Sequence, residues 1–171
     1  MLNKKLYNRV AAAEAVHSMK KNTWKTPKYV YDYLDKEFVF DFDPCPSNPK
    51  FDGLKISWAA MNYVNPPYGT ELPKWITKGI AEQKKNHYSV FLIPSRTDTK
   101  WFYKMFENAT EIRFIVSRIK FVGAENSAPF PSMIVYFGPK RKFATPKISM
   151  IFISKPISQD QKDQRHARSA K

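Results

Sequence analysis

The sequence predicts an α/β fold with a mainly parallel sheet and helices on both faces. Short apolar runs at 38–42, 61–64, 89–93 and 112–116 alternate with segments of helical spacing, the pattern of strands joined by crossover helices. The first two runs are closed by Asp43-Pro44 and Asn65-Pro66-Pro67, natural strand stops. A length of 171 residues with 43% apolar content suffices for one hydrophobic core.

Residues 1–23 hold an alanine-rich stretch among Lys4, Lys5, Arg9, Lys20 and Lys21, and are expected to form a basic helical extension. The single domain is expected over 24–154. Its first helix should start at Pro27 with Thr26 as cap and run to about Lys36, since Tyr29, Val30, Tyr33 and Leu34 share a helical face. The aromatic and β-branched run 38–42 reads as a strand that delivers Asp43 at its end. The run 61–64 delivers Asn65 in the same way and is followed by a helix over 72–83. Strand 89–93, helix 99–106 and strand 112–116 continue the alternation. Two late strands, 133–137 and 148–153, follow. No helix-length segment separates Phe121 from Met133, so an antiparallel C-terminal strand pair is expected. Residues 155–171 are polar and basic and read as a disordered tail.

Twenty-nine Lys and Arg against 15 Asp and Glu leave a net charge of +14, which speaks about partners. Nucleic acid is the leading candidate, because each neutralised phosphate releases counterions. An anionic membrane surface or the ribosome is the plainer alternative. No apolar run approaches the ~18 residues of a membrane span, and no secretion signal is evident, so a soluble intracellular protein is expected. Cys45 is the single cysteine and the histidines are scattered. Neither a disulfide nor a metal site is expected.

In open α/β sheets ligands bind beyond the carboxyl ends of the strands, where Asp43, Asn65 and Pro94 all fall. Asn65-Pro66-Pro67-Tyr68 is the sharpest signal. A specified tetrapeptide with two prolines arises by chance in roughly one chain in a thousand of this size. The plain reading is a Pro-rich turn. The chemical reading is attack by a conjugated amino group such as adenine N6, whose delocalised lone pair makes it a poor nucleophile. The Asn65 side-chain oxygen and the Pro66 carbonyl can each accept an amino hydrogen and stabilise the developing positive charge. Prolines stiffen the loop and supply no competing N–H. Tyr68 offers a stacking wall for a base extruded from the duplex.

Asn65-Pro66-Pro67-Tyr68 resembles the catalytic motif of amino-group methyltransferases, and residues 39–45 resemble the strand-ending cofactor motif of that superfamily. The likeness is closer to the phage-type Dam-like DNA N6-adenine methyltransferases. It is carried by Trp24-x-Thr26-Pro27, Asp43-Pro44, Asp52-Gly53-Leu54 with Trp58, the tetrapeptide with Gly69, residues 92–99 with Trp101-Phe102, residues 118–121 and residues 128–132. It spans residues 24 to 138. One departure stands out: Pro46-Ser47-Asn48-Pro49 occupies the position where superfamily members usually carry a glycine-rich turn.

The resemblance implies a Rossmann-like methyltransferase sheet, S-adenosylmethionine as cofactor and double-stranded DNA as partner, with the target base flipped out. It implies catalytic roles for Asn65, Pro66, Pro67 and Tyr68, and cofactor contacts from Asp43, Pro44, Thr26, Pro27 and Asp52. For Asp43 and Asp52 a turn-capping role is the alternative, and for Thr26 a bare helix cap. Arg96, Arg118 and Lys120 are candidate phosphate or base contacts, and Phe130 a candidate second wall for the base, with solvated cations and core packing as the alternatives. The tetrapeptide also occurs in enzymes that methylate RNA adenine or a protein glutamine amide, so those substrates remain open. A catalytically silent nucleic-acid-binding module with this fold is the other class of reading.

Overall fold

Helix α1 (Lys28–Phe38) begins beside Pro27, which is itself the extended N-cap and gives no side-chain cap bond. Thr26 is therefore not the helix cap; its hydroxyl turns to Tyr63 and Asn65 instead. The computed structural model describes residues 24–139 and 145–155, so the expected N-terminal helix and the C-terminal tail from residue 156 lie outside the described residues.

The apolar run 38–42 does not form a regular strand. Phe38 still belongs to α1, and Val39 leaves the helix in the left-handed region at φ 51°. Only then does the chain extend, too late for more than one bridge, Phe42 to Asn62. Backbone bonds from Asp41 N to Met61 O and from Tyr63 N to Phe42 O still lay the segment parallel to β1 (Met61–Val64). Asp43 thus reaches the edge where β1 ends.

After β1 come α2 (Leu72–Gln83), β2 (Tyr88–Pro94), α3 (Lys100–Asn108), β3 (Glu111–Val116), β4 (Ser132–Phe137) and β5 (Lys147–Phe152). Pro73 in the first turn suits the start of α2, and Thr99 caps α3 by accepting from the Phe102 N–H. The five-stranded sheet has the order β1-β2-β4-β3-β5. β1 with β2 and β3 with β5 pair parallel, whereas β4 is antiparallel to both β2 and β3.

The sheet is therefore mixed. The antiparallel C-terminal pair expected of 133–137 and 148–153 does not form; β4 is antiparallel to its neighbours β2 and β3 instead. β5 does not pair with β4 but adds to β3 in parallel. No helix lies in the link between β3 and β4 to make a crossover, and β4 fills the slot between β3 and β2, leaving the far edge of β3 for β5.

Alternation along the strands separates the two faces. Phe38 of α1 packs on Tyr136, and Glu37 pairs with Arg113, so α1 covers the face bearing Tyr63, Leu92 and Ile134. On the other face Phe91 and Phe137 pack edge to face beneath Gly79 of α2. The first turns after β1, β2 and β3 all gather at one edge of the sheet.

Candidate active site at the strand ends

Asn65, the first residue after β1, is held by the segment that precedes α1. Its side-chain Nδ2 donates to the Trp24 carbonyl and, at 3.0 Å, to Thr26 Oγ1. A backbone carbonyl only accepts, so the nitrogen end of the amide has to face Trp24 and Oδ1 has to face the other way. Tyr68 Oη donates to that Oδ1 at 3.0 Å and reaches the Leu92 carbonyl at 3.2 Å. Its ring is buried, edge-on to Phe130 at 5.6 Å and to Phe121 at 6.2 Å between centroids. Phe130 thus stands against Tyr68, itself buried. Pro66 is buried and Pro67 half-buried.

Asn65, Thr26 and Asp43 line one cleft of about 610 Å³ together with Trp24, Tyr31 and Tyr63. That volume is within the ~300–1,000 Å³ of small-molecule sites. Asp43 accepts from the Cys45 N–H at 2.8 Å, the turn-capping contact. Burial nevertheless raises its pKa to about 6, with the Cys45 bond opposing. An acceptor this poorly solvated favours a ligand N–H or O–H. Burial, with the Asp43 charge adding, pushes the Cys45 thiol up to about 12, which keeps it protonated and no nucleophile. Pro44 and Pro27 are buried behind the lining.

Asp52 is outside the lining. Its carboxylate accepts from the Leu54 N–H and pairs with Lys55, both within its own exposed turn. That turn fixes Gly53, where a Cβ would sit 1.9 Å from the Pro44 carbonyl oxygen, so the turn packs directly on the segment carrying Asp43. Arg96, Arg118 and Lys120 are exposed beyond the ends of β2 and β3, on the sheet edge that carries Asn65 but outside the cleft lining. Among the described residues no cluster of metal-binding side chains occurs, and no helix is long and apolar enough to cross a membrane.

Tyr63, which motif reading did not single out, also lines the cleft. It is 2% exposed, its ring meets Tyr31 and Phe40, and its hydroxyl is 2.6 Å from Thr26 Oγ1. The signal was available: Tyr63 precedes Asn65 by two residues in an extended segment, which puts both on one side. His87 pairs through Nδ1 with the fully buried Glu82 at 2.7 Å.

Residues 14–165 match the sequence profile of the DNA N-6-adenine-methyltransferase (Dam) family. The chain belongs to this family. The match extends across the cleft and the tetrapeptide of this Dam-family protein. A DNA N-6-adenine-methyltransferase of Haemophilus phage HP1 is 30% identical to it over 151 residues, covering 77% of this chain and 87% of the relative. Among solved structures, a candidate class I S-adenosylmethionine-dependent methyltransferase of Listeria monocytogenes aligns at a TM-score of 0.40 and 14% identity. That alignment covers 68% of the Dam-family chain and 44% of the Listeria chain.

Proposed function

We propose that the protein methylates the exocyclic N6 of adenine in double-stranded DNA, using S-adenosylmethionine and a flipped target base, inside the cell. One observation carries the reading: Asn65 of the tetrapeptide and the desolvated Asp43 meet in one cleft although they arrive from separate segments. The fit of the cofactor rests on donors and acceptors already there. Asp43 accepts from an adenosine hydroxyl or amine, Thr26 contributes a hydroxyl, and the cleft is large enough for a nucleoside. When bound, S-adenosylmethionine supplies an electrophilic methyl group.

The chain's own residues prepare the nucleophile. Asn65 Oδ1 has a second lone pair beyond the one given to Tyr68, and the Pro66 carbonyl is the other acceptor. Together they draw the amino hydrogens into their plane, aim the nitrogen lone pair out of the ring plane and stabilise the positive charge that grows on nitrogen. Prolines 66 and 67 keep these acceptors in place, so little reorganisation is left for the moment of reaction. Tyr68 is 7% exposed, so its ring has to turn out from Phe130 and Phe121 to become the wall on which the extruded base rests. Arg96, Arg118 and Lys120 hold the DNA backbone along the same edge.

The test is incubation with tritiated cofactor and, separately, DNA, RNA and total protein, followed by nucleoside and amino-acid analysis. Label in N6-methyladenine of DNA is the expected result. Label in RNA or glutamine would reassign the substrate, and no label anywhere would identify a silent binding module. In parallel, Asn65→Ala should slow single-turnover transfer by ~100-fold, the usual loss for one preplaced polar group at a developing charge.

A further inference from the structure

We infer that Tyr63 is a positioning residue for the methyl transfer: acting through Thr26, it holds the Asn65 carboxamide with its oxygen turned toward the substrate amine. The inference rests on the reading of Asn65 as the acceptor. It follows from the order of donors and acceptors along one line. Trp24 O and Thr26 Oγ1 take the hydrogens of Asn65 Nδ2, and Thr26 Oγ1 is in turn gripped at 2.6 Å by the Tyr63 hydroxyl.

A threonine hydroxyl is a rotor, and rotation about its χ1 would carry Oγ1 away from the amide. Tyr63 removes that freedom. Its own ring is clamped by Tyr31, edge-on at 5.0 Å, and by Phe40, tilted at 5.3 Å, on a strand whose backbone is paired to Tyr88–Phe91. The hydroxyl therefore projects from a rigid base, with no side-chain movement available to it short of disturbing the sheet. Rigid strand, buried phenol, threonine and carboxamide form a relay of position with no proton transferred along it.

The surplus of hydrogens agrees with this assignment. Thr26 and Tyr63 share one hydrogen bond, so one of their two hydroxyl hydrogens is left to point elsewhere, and both side chains line the cleft.

Tyr63→Phe removes the oxygen and keeps the ring, so packing is retained. At saturating cofactor and DNA its single-turnover rate should fall about tenfold or more, as expected for a reacting group left loosely placed. Cofactor affinity by calorimetry and the melting temperature should move little. Thr26→Val should show a similar rate loss, Thr26→Ser should restore it, and Tyr63→Phe should add nothing in the Thr26→Val background. A wild-type rate for Tyr63→Phe, an additive loss in the double variant, or a defect confined to cofactor affinity would overturn the proposal. Failure of the underlying reading is separately visible, since Asn65→Ala would then transfer methyl groups normally. With that reading intact, Tyr63→Phe should leave the residual rate of Asn65→Ala unchanged.

Discussion

The Tyr68 hydroxyl is 3.0 Å from the Asn65 side-chain oxygen and 3.2 Å from the Leu92 carbonyl, so a single hydrogen serves two acceptors. The bond to Asn65 is consequently a shared one, easily yielded when an amino group arrives. Tyr68→Phe should keep the ring between Phe121 and Phe130, lower stability by about 1 kcal/mol for the lost bond, and leave the methyl-transfer rate close to wild type. Tyr68→Ala opens a cavity at the same place and should cost about 3–5 kcal/mol. Urea denaturation distinguishes the two; equal midpoints would show that the buried ring contributes nothing to the fold.

Asp43 gives the cleft a pH dependence. Its folded-state pKa of about 6 is above the ordinary 3.8, so the folded protein holds that proton more tightly than the unfolded chain. In the ligand-free protein Asp43's own contribution to stability should therefore be lost as pH rises from about 3.8 to 6. Cofactor affinity should run the opposite way, increasing through about pH 6 as the acceptor ionises. Asp43→Asn should flatten both profiles, measured by thermal melts and calorimetry across pH 4 to 8. A cofactor affinity in the variant that still rises through that window would remove Asp43 from the contact.

Glu82 is fully buried at the end of α2, facing Lys78 at 2.7 Å, Lys85 at 3.0 Å and His87 at 2.7 Å. Burial works against its charge, but bonds from Lys78, His87, Lys85 and the Trp58 N–H outweigh it and bring its pKa down to about 2. Because the folded value is below the unfolded 4.5, this stabilisation is present above about pH 4.5 and is lost as pH falls toward 2. Glu82→Gln should cost about 3–5 kcal/mol at neutral pH, the penalty for breaking a buried ionic cluster. The variant should also show a weaker acid dependence. Denaturant titrations at pH 7 and pH 3 read both effects.

Gly53→Ala tests the docking of the 52–56 turn on the Asp43 segment. The added carbon would overlap the Pro44 carbonyl and lie 2.8 Å from the Trp75 ring, and neither backbone nor packed indole can yield cheaply. The expected outcome is a lower melting temperature together with weaker cofactor binding, because Asp43 is displaced with Pro44. Unchanged calorimetry in a destabilised protein would mean that Asp43 does not depend on this contact.

Deleting residues 156–171 removes Lys162, Arg165, Arg168 and Lys171. Nonspecific DNA affinity should fall and its dependence on salt should shrink, while turnover at saturating DNA persists. Filter binding over a range of salt concentrations gives the slope, and an unchanged slope would exclude the tail from phosphate contact.

Much of the fold was legible because its signals are local. Pro73 marks the first turn of α2, Thr99 caps α3, and both helices appear within a residue or two of expectation. Strand order was not legible, since the slot for β4 between β2 and β3 is decided by pairing across the chain. The run 38–42 misled because aromatic content suggests a strand while helix α1 continues through Phe38 until Val39 turns it. At the site, Asn65 and Asp43 were readable from motif and strand end. Thr26 was read both as a helix cap, because proline follows it, and as a cofactor-site residue, and only the tertiary position of Tyr63 shows where its hydroxyl goes. Asp52 was ambiguous for a physical reason, as Asp-Gly serves a turn and a ligand site with the same residues.

The opposed direction of β4 also sets a timetable for synthesis. Asn65 is carried by β1 and its partner β2, whereas β3 and β5 form a separate parallel pair, and β4 is the ladder that joins the two halves. The Ser95 N–H bonds to the Pro131 carbonyl just before β4, so the loop bearing Phe130 is seated by the same strand. A chain still emerging from the ribosome has its tetrapeptide early but lacks the strand that gathers the halves until residue 137 is out. Phe130, which packs on Tyr68, is thus seated by a strand made late in the chain, whereas all but one of the residues lining the cleft lie between 24 and 65.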